Sequence, residues 1–240
     1  MDDKGSVAMK LSGRLAAAAS LIPKNTVIAD IGTDHGYIPV YMCQEGLCPK
    51  AIAADIVPGP LQAAITHVRQ SGLADRIDCR LGDGLTCIRP GEADGAVICG
   101  MGGPLIVSIL QASPGVWQEM EFLVLQPQSD SGAVRQYLYE AGWHIEDEEL
   151  LVEDGRLYEL MRAVPGREPM PELWVCDIGP VNWRRKHPLL VRKIESLIDK
   201  KEQIRTGLTK SRSDMSVRIQ ALDEEIRHWR EIIWQLQSEI

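Results

Sequence analysis

A chain of 240 residues is long enough for one α/β domain of ordinary size and a smaller appendage. Its 45% hydrophobic and 25% charged residues describe a globular protein, and its net charge of −8 excludes a general nucleic-acid binder, which needs excess Lys and Arg. No apolar run approaches the roughly 20 residues that cross a bilayer, and no apolar leader with a cleavage site precedes Lys24, so a cytoplasmic protein without a membrane partner is expected.

Short β-branched runs alternate with helix-like stretches through the first two thirds of the chain. Strands are predicted at Val27–Ile31, Ala51–Asp55, Ile77–Leu81, Gly95–Cys99 and Phe122–Gln126, with helices such as Gly36–Gln44, Gly59–Ser71 and Gly103–Gln111 between them. Strands joined by helices form a parallel sheet with right-handed crossovers. Two further strands, His144–Leu151 and Leu157–Ala163, are separated only by Glu153–Arg156, and the Glu-Asp-Gly there reads as a hairpin turn. A parallel sheet closed by an antiparallel hairpin is the Rossmann-like topology of class I methyltransferases; a dehydrogenase would continue with parallel strands.

The breakers Pro165, Gly166, Pro169, Pro171, Gly179 and Pro180 mark a junction, giving a first domain over residues 1–165 and an appendage over 182–240. In the appendage Met215, Ile219, Leu222, Ile226, Trp229, Ile233, Leu236 and Ile240 are spaced 4-3-4-3-4-3-4. Leu190, Ile194, Leu197, Ile204 and Leu208 precede them, with Lys201 interrupting, and Ser211–Ser213 reads as a turn before the N-cap Asp214. This predicts a helical hairpin of coiled-coil type, in a monomer or a weak homodimer. Of the six cysteines none forms a C-x-x-C pair; they read as reduced packing residues, and no metal site is expected.

Ligand chemistry gathers at the strand ends. The first βα turn reads Asp30-Ile31-Gly32-Thr33-Asp34-His35-Gly36, and the second strand ends at Asp55, followed by Ile56. A glycine turn lets a ligand approach the backbone, and an acid about 20 residues further on accepts ribose hydroxyls of either NAD or S-adenosylmethionine. The turn is not G-x-G-x-x-G: Asp34 stands where a dinucleotide fold wants its second glycine. A carboxylate repels a pyrophosphate and suits a cofactor with a sulfonium and an ammonium group, so S-adenosylmethionine is expected over NAD. The third strand ends in Gly82-Asp83-Gly84, whose acid suits an adenine amine, and the fourth in Gly100-Met101-Gly102-Gly103.

These motifs, with Leu125-Gln126-Pro127, Leu11-Ser12-Gly13-Arg14-Leu15 and Glu153-Asp154-Gly155, resemble the bacterial tRNA (adenine-22-N1)-methyltransferase family over essentially the whole chain. The resemblance implies methyl transfer to N1 of adenine 22 in the D arm of tRNA. It further implies that Asp30, Gly32, Asp34, Asp55, Asp83 and Gly100–Gly103 surround cofactor and base, and that Asp30 matters for activity. The full candidate cofactor set adds Thr33, His35, Gly36, Ile56, Gly82 and Gly84, with Asp30 and Asp34 as the catalytic carboxylates. The loop after the fourth strand carries neither the carboxamide nor the ring of the amine methyltransferases, which favours a ring nitrogen over the exocyclic amine. Lys10, Arg14, Arg184, Arg185 and Lys186 are the candidate phosphate contacts, with Gln126 beside the base pocket. The alternatives are a methyltransferase for another RNA or small molecule, an NAD enzyme, and a scaffold that uses its helical tail.

Overall fold

The computed structural model describes residues 10–210 and 214–238. The chain divides into two compact units, one ending at Val181 and the other beginning at Asn182.

The first unit opens with α1, Gly13–Leu21, capped by the Ser12 side chain accepting from the Leu15 amide. It then alternates β1 (Ile28–Ile31), α2 (Tyr37–Gln44), β2 (Ala51–Asp55), α3 (Pro58–Gln70), β3 (Ile77–Leu81), β4 (Gly95–Met101), α4 (Gly103–Ala112), the single turn α5 (Pro114–Trp117), β5 (Phe122–Pro127) and α6 (Ser131–Glu140). A hairpin follows, β6 (Trp143–Glu153) and β7 (Arg156–Pro165), and then the short α7 (Leu173–Ile178) and α8 (Pro180–Arg184). The seven strands form one sheet in the order β3-β2-β1-β4-β5-β7-β6. β1 to β5 pair in parallel, and β7 runs antiparallel to both β5 and β6. The hairpin turn is built as its sequence requires, with Asp154 at φ 50° and Gly155 at φ 77°.

Alternate residues of the central strands feed two apolar layers. Ala29, Ile31, Ile52, Ala54, Ile98, Leu123 and Leu125 pack with α4 and α6, while Ile28, Ala51, Ala53, Val97 and Val124 pack with α1 and α2. Burial on both faces explains the unbroken apolar strands. Chain order reverses between β1 and β4, and the crevice beyond the carboxyl ends of those two strands is the usual ligand position in such a sheet.

The second unit contains α9 (Leu190–Thr209) and α10 (Ser216–Ser238). Lys201 pairs with Glu225, Arg205 with Asp223 at 2.7 Å and Glu202 with Arg230 at 2.8 Å, which sets the helices antiparallel. The predicted seam of α10 is kept at Leu222, Ile226, Trp229 and Leu236 and slips by one residue at Ile233. α10 buries Leu222, Ile226, Trp229, Ile232 and Leu236; Ile233 is only half-buried and Trp234 is exposed. α9 buries Ile198 and exposes Ile204. The slip is local, because Leu236, one heptad beyond Trp229, is buried again. The expected turn Ser211–Ser213 and seam residue Ile240 lie outside the described residues.

Arg135 is fully buried among carboxylates that the sequence pattern does not reveal. Its Nε donates to Glu148 Oε1 at 2.6 Å, Nη1 to the Cys176 carbonyl at 2.7 Å and Nη2 to Glu159 Oε2 at 3.3 Å. The second Glu148 oxygen accepts from the Val181 amide at 2.8 Å. This ties α6, both hairpin strands and the segment after the hairpin together. Replacing Arg135 with Met leaves two carboxylates without their guanidinium and is expected to cost about 3–5 kcal/mol in urea unfolding. Adding Glu148→Leu and Glu159→Leu to Arg135→Met is expected to recover most of that loss, because no buried charge then remains.

Candidate functional site

A cavity of about 270 Å³ opens at the carboxyl ends of β1 and β4, lined by Arg14, Leu15, Asp30, Gly32, Thr33, Asp34, Tyr37, Ile38, Cys99, Gly100 and Gln128. A larger cleft, about 470 Å³, lies at the amino ends of the strands around Lys50, Arg76 and Arg80, away from every strand-end motif.

Asp30 is the most unusual group in the cavity. It is 4% exposed, and Thr33 Oγ1 donates to its Oδ2 at 2.6 Å. Burial lifts its carboxyl from the ordinary 3.8 to about 7; the Thr33 hydrogen bond works against the lift and the nearby Asp55 carboxylate adds to it. Asp55 is itself engaged, its Oδ2 accepting from the Asp34 amide at 3.1 Å and its Oδ1 from the Val57 amide at 2.9 Å. These bonds hold the first turn against the end of β2. The Gly32 and Thr33 amides complete the turn by donating to the Ala54 carbonyl at 2.9 and 3.0 Å.

Asp34 adopts φ 54° and carries its carboxylate outward, 67% exposed, with His35 Nε2 at 3.7 Å. His35 is joined to His67, whose Nδ1 lies 2.9 Å from the His35 carbonyl, and Tyr37 stands between the two imidazoles with 5.4 Å between ring centroids on each side. Gly36 caps α2, and the Met101 methyl occupies the space where Gly32 has no side chain.

On the opposite wall Gly100 takes φ 80° in a bulge between Cys99 and Met101. Gly103 lies so close to the next loop that a Cβ there would meet the Ser129 carbonyl at 2.6 Å. Burial, with Asp30 nearby, pushes the Cys99 thiol up, so it stays protonated and is no nucleophile.

Of the expected site residues, Arg14, Asp30, Gly32, Thr33, Asp34 and Gly100 share this cavity. Asp55, Ile56, Gly82, Asp83 and Gly84 continue the same rim along β2 and β3 without lining the cavity itself; Ile56 and Asp83 are exposed. Gln126 is corrected: it is fully buried behind the wall and cannot touch RNA. Its Oε1 accepts from Arg14 Nη1 at 2.8 Å and from the Gly100 amide at 3.1 Å, so its polar atoms serve the wall. The Arg14 guanidinium also sits 5.6 Å above the Tyr158 ring. Lys10 is exposed at the start of the described chain, and Arg184, Arg185 and Lys186 are exposed in α8 and just beyond it.

Sequence reasoning missed Tyr37 and Gln128. The loop after β4 has neither ring nor carboxamide, but the cavity acquires both from other elements. Their absence from that loop is therefore no ground for disfavouring the exocyclic amine. Only the strand order, which sets β5 beside β4, could have pointed to Gln128.

A family model described as a methyltransferase domain matches residues 11–161. The tRNA (adenine(22)-N(1))-methyltransferase of Bacillus subtilis strain 168 is 43% identical over 158 residues, 66% of each chain. The crystal structure of the B. subtilis M1A22 tRNA methyltransferase TrmK superposes with a TM-score of 0.85 and 32% identity over 93% of this chain and 99% of that one. The chain belongs to the tRNA (adenine-22-N1)-methyltransferase family. M. capricolum TrmK, solved with the cofactor product S-adenosyl-homocysteine, matches with a TM-score of 0.81 and 26% identity over 94% of this chain and 98% of that one. In this family member the NAD reading is set aside.

A buried carboxyl that keeps its proton up to about pH 7 makes the folded methyltransferase bind one proton more than the unfolded chain between pH 3.8 and 7. Burying Asp30 is therefore harmless below pH 4 and costs progressively more as pH rises to 7, reaching on the order of 4 kcal/mol above it. Asp30→Asn is expected to melt higher than the native protein at pH 8, the gap narrowing as pH falls and closing near pH 4 in a thermal-melt series.

Proposed function

We propose that this protein transfers a methyl group from S-adenosyl-L-methionine to N1 of adenine 22 in the D arm of tRNA. The observation that carries the reading is the buried Asp30 carboxyl facing the cavity in a chain of this family. That acid is held up by burial and by a second carboxylate, and the one guanidinium in the cavity lining, Arg14, donates to Gln126 instead of to Asp30. A cationic sulfonium with an ammonium group fits such a place; a diphosphate would add more negative charge.

Asp30, Gly32, Thr33, Asp34, His35 and Gly36 would hold the charged end of the methyl donor, and Asp55 with Ile56 its ribose. Gly82, Asp83 and Gly84 would hold its adenine, with Gly100, Met101, Gly102 and Gly103 closing the side toward the base. The donor supplies an electrophilic methyl on a cationic sulfur. Adenine N1 has a free lone pair in the neutral base, so no side chain needs to remove a proton first. The task of this chain is to hold N1 in line and to meet the positive charge that moves onto the ring, a role that Asp30 and Asp34 would fill. N1 lies on the Watson–Crick edge, so the base must leave its stack to enter the cavity.

Lys10, Arg14, Arg184, Arg185 and Lys186 are the cations for RNA on an otherwise acidic chain. In this reading residues 1–165 are the methyltransferase domain and 182–240 the appended helical hairpin. The protein works in the cytoplasm as a monomer or weak homodimer, without a metal. Among the described residues no helix is long and apolar enough to cross a membrane.

The reading is tested with purified protein, S-adenosyl-L-methionine and a tRNA transcript, with nucleoside mass spectrometry as the readout. One 1-methyladenosine at position 22 is expected, and a transcript that stays unmodified refutes the assignment. Asp30→Ala should still unfold in one cooperative transition and lose at least about a hundredfold in rate, the scale of removing one preorganised charge interaction. Joint replacement of Arg184, Arg185 and Lys186 by Ala should weaken tRNA binding and flatten its log–log salt dependence by roughly one unit for each phosphate no longer neutralised, measured by filter binding.

A further inference from the structure

If N1 of the target adenine is the nucleophile, its lone pair must point at the methyl group. The Watson–Crick edge then cannot be gripped through N1, and the identity of the base has to be read elsewhere. The opposite edge offers N6–H as a donor beside N7 as an acceptor, while guanine shows two acceptors there, O6 and N7. The group that matches the adenine edge presents an acceptor and a donor side by side, which is a primary carboxamide.

Among the described residues the cavity holds one carboxamide that is able to do this. Arg14 has donors only, one of them, Nη1, spent on Gln126. Asp34 has acceptors only when ionised, and the Thr33 hydroxyl is taken by Asp30. The Gln126 amide is buried and spent, with Oε1 shared by Arg14 and Gly100 and Nε2 donating to the Pro127 carbonyl at 3.3 Å. Gln128 lines the cavity, is exposed, and its side chain makes no hydrogen bond to another described group. Its backbone is anchored, the amide donating to the Met101 carbonyl at 2.8 Å, so the side chain springs from a fixed point.

Gly100 lies beside it, in the φ 80° conformation that favours glycine. A Cβ there would lie 3.8 Å from Gln128 Nε2 and 3.7 Å from Arg14 Nη1. Tyr37 lines the same cavity and is 43% exposed, its ring flanked by His35 and His67.

We propose that Gln128 is the specificity-determining residue for adenine, its carboxamide pairing with N6 and N7 of the target base. The inference rests on the function proposed above.

The test is a four-way comparison of kcat/KM for the full-length native protein and Gln128→Ala, each on a tRNA carrying either adenine or 7-deazaadenine at position 22. Removing N7 takes away one of the two hydrogen bonds and should slow the native protein by about 2- to 13-fold. Gln128→Ala removes both and should lose about 5- to 150-fold on adenine, with no further loss on 7-deazaadenine, an unchanged melting transition and unchanged S-adenosyl-L-methionine affinity by calorimetry. Losses that multiply independently, or a Gln128→Ala protein as fast as native on adenine, overturn the role of Gln128 and leave the proposed function standing. A native protein that methylates neither tRNA overturns both.

Discussion

An ionisable carboxyl group buried where two parallel strands part company is the constraint on which the first unit turns. Asp30 ends β1 beside β4, where the crossover helices leave for opposite faces of the sheet. Among the described residues no guanidinium or ammonium is paired with it; a threonine hydroxyl and the field of Asp55 are its company. Such a group costs folding energy at neutral pH, and the two apolar layers on either side of the sheet offset it. The turn around it is rigid because Asp55 and the Ala54 carbonyl take up its backbone amides.

Arg135 shows the same physics resolved in the other direction. It is as deeply buried as Asp30, yet it meets Glu148, Glu159 and a backbone carbonyl, and every nitrogen of its guanidinium group has a partner. That cluster joins α6 to the hairpin and the segment beyond it. A buried charge with full pairing is a structural tie, whereas the buried acid at the strand-end cavity is left without a paired cation, which suits the cationic donor proposed for it. The contrast separates the unpaired carboxyl from the paired ones without any appeal to motif.

Gln126 and Gln128 divide labour in a similar way. They sit two residues apart at the end of β5, but the first points into the wall and fixes both Arg14 and the Gly100 amide, while the second faces the cavity. Alternation along a strand puts successive side chains on opposite faces and next-but-one residues on the same face. The pair breaks that rule because β5 ends at Pro127, and the chain beyond it turns over the glycine-rich end of β4.

The order of strands and helices, the hairpin with its Asp-Gly turn, and the acids and glycines at the strand ends were legible in the sequence, because periodicity and turn chemistry act over a few residues. The likeness to a tRNA methyltransferase family was legible for the same reason: its motifs are local runs such as Asp30–His35 and Gly100–Gly103. The helical tail was legible as a hairpin, and so was most of its seam; the burial of Ile232 in place of Ile233 and of Ile198 beside Leu197 was not. What only the tertiary structure decided was company. Burial raises the Asp30 carboxyl, Arg135 finds its two glutamates, Gln126 is hidden, and Gln128 and Tyr37 come to one cavity from elements more than 80 residues apart. Each of these depends on which strand lies beside which, and strand order is set by packing across the whole sheet.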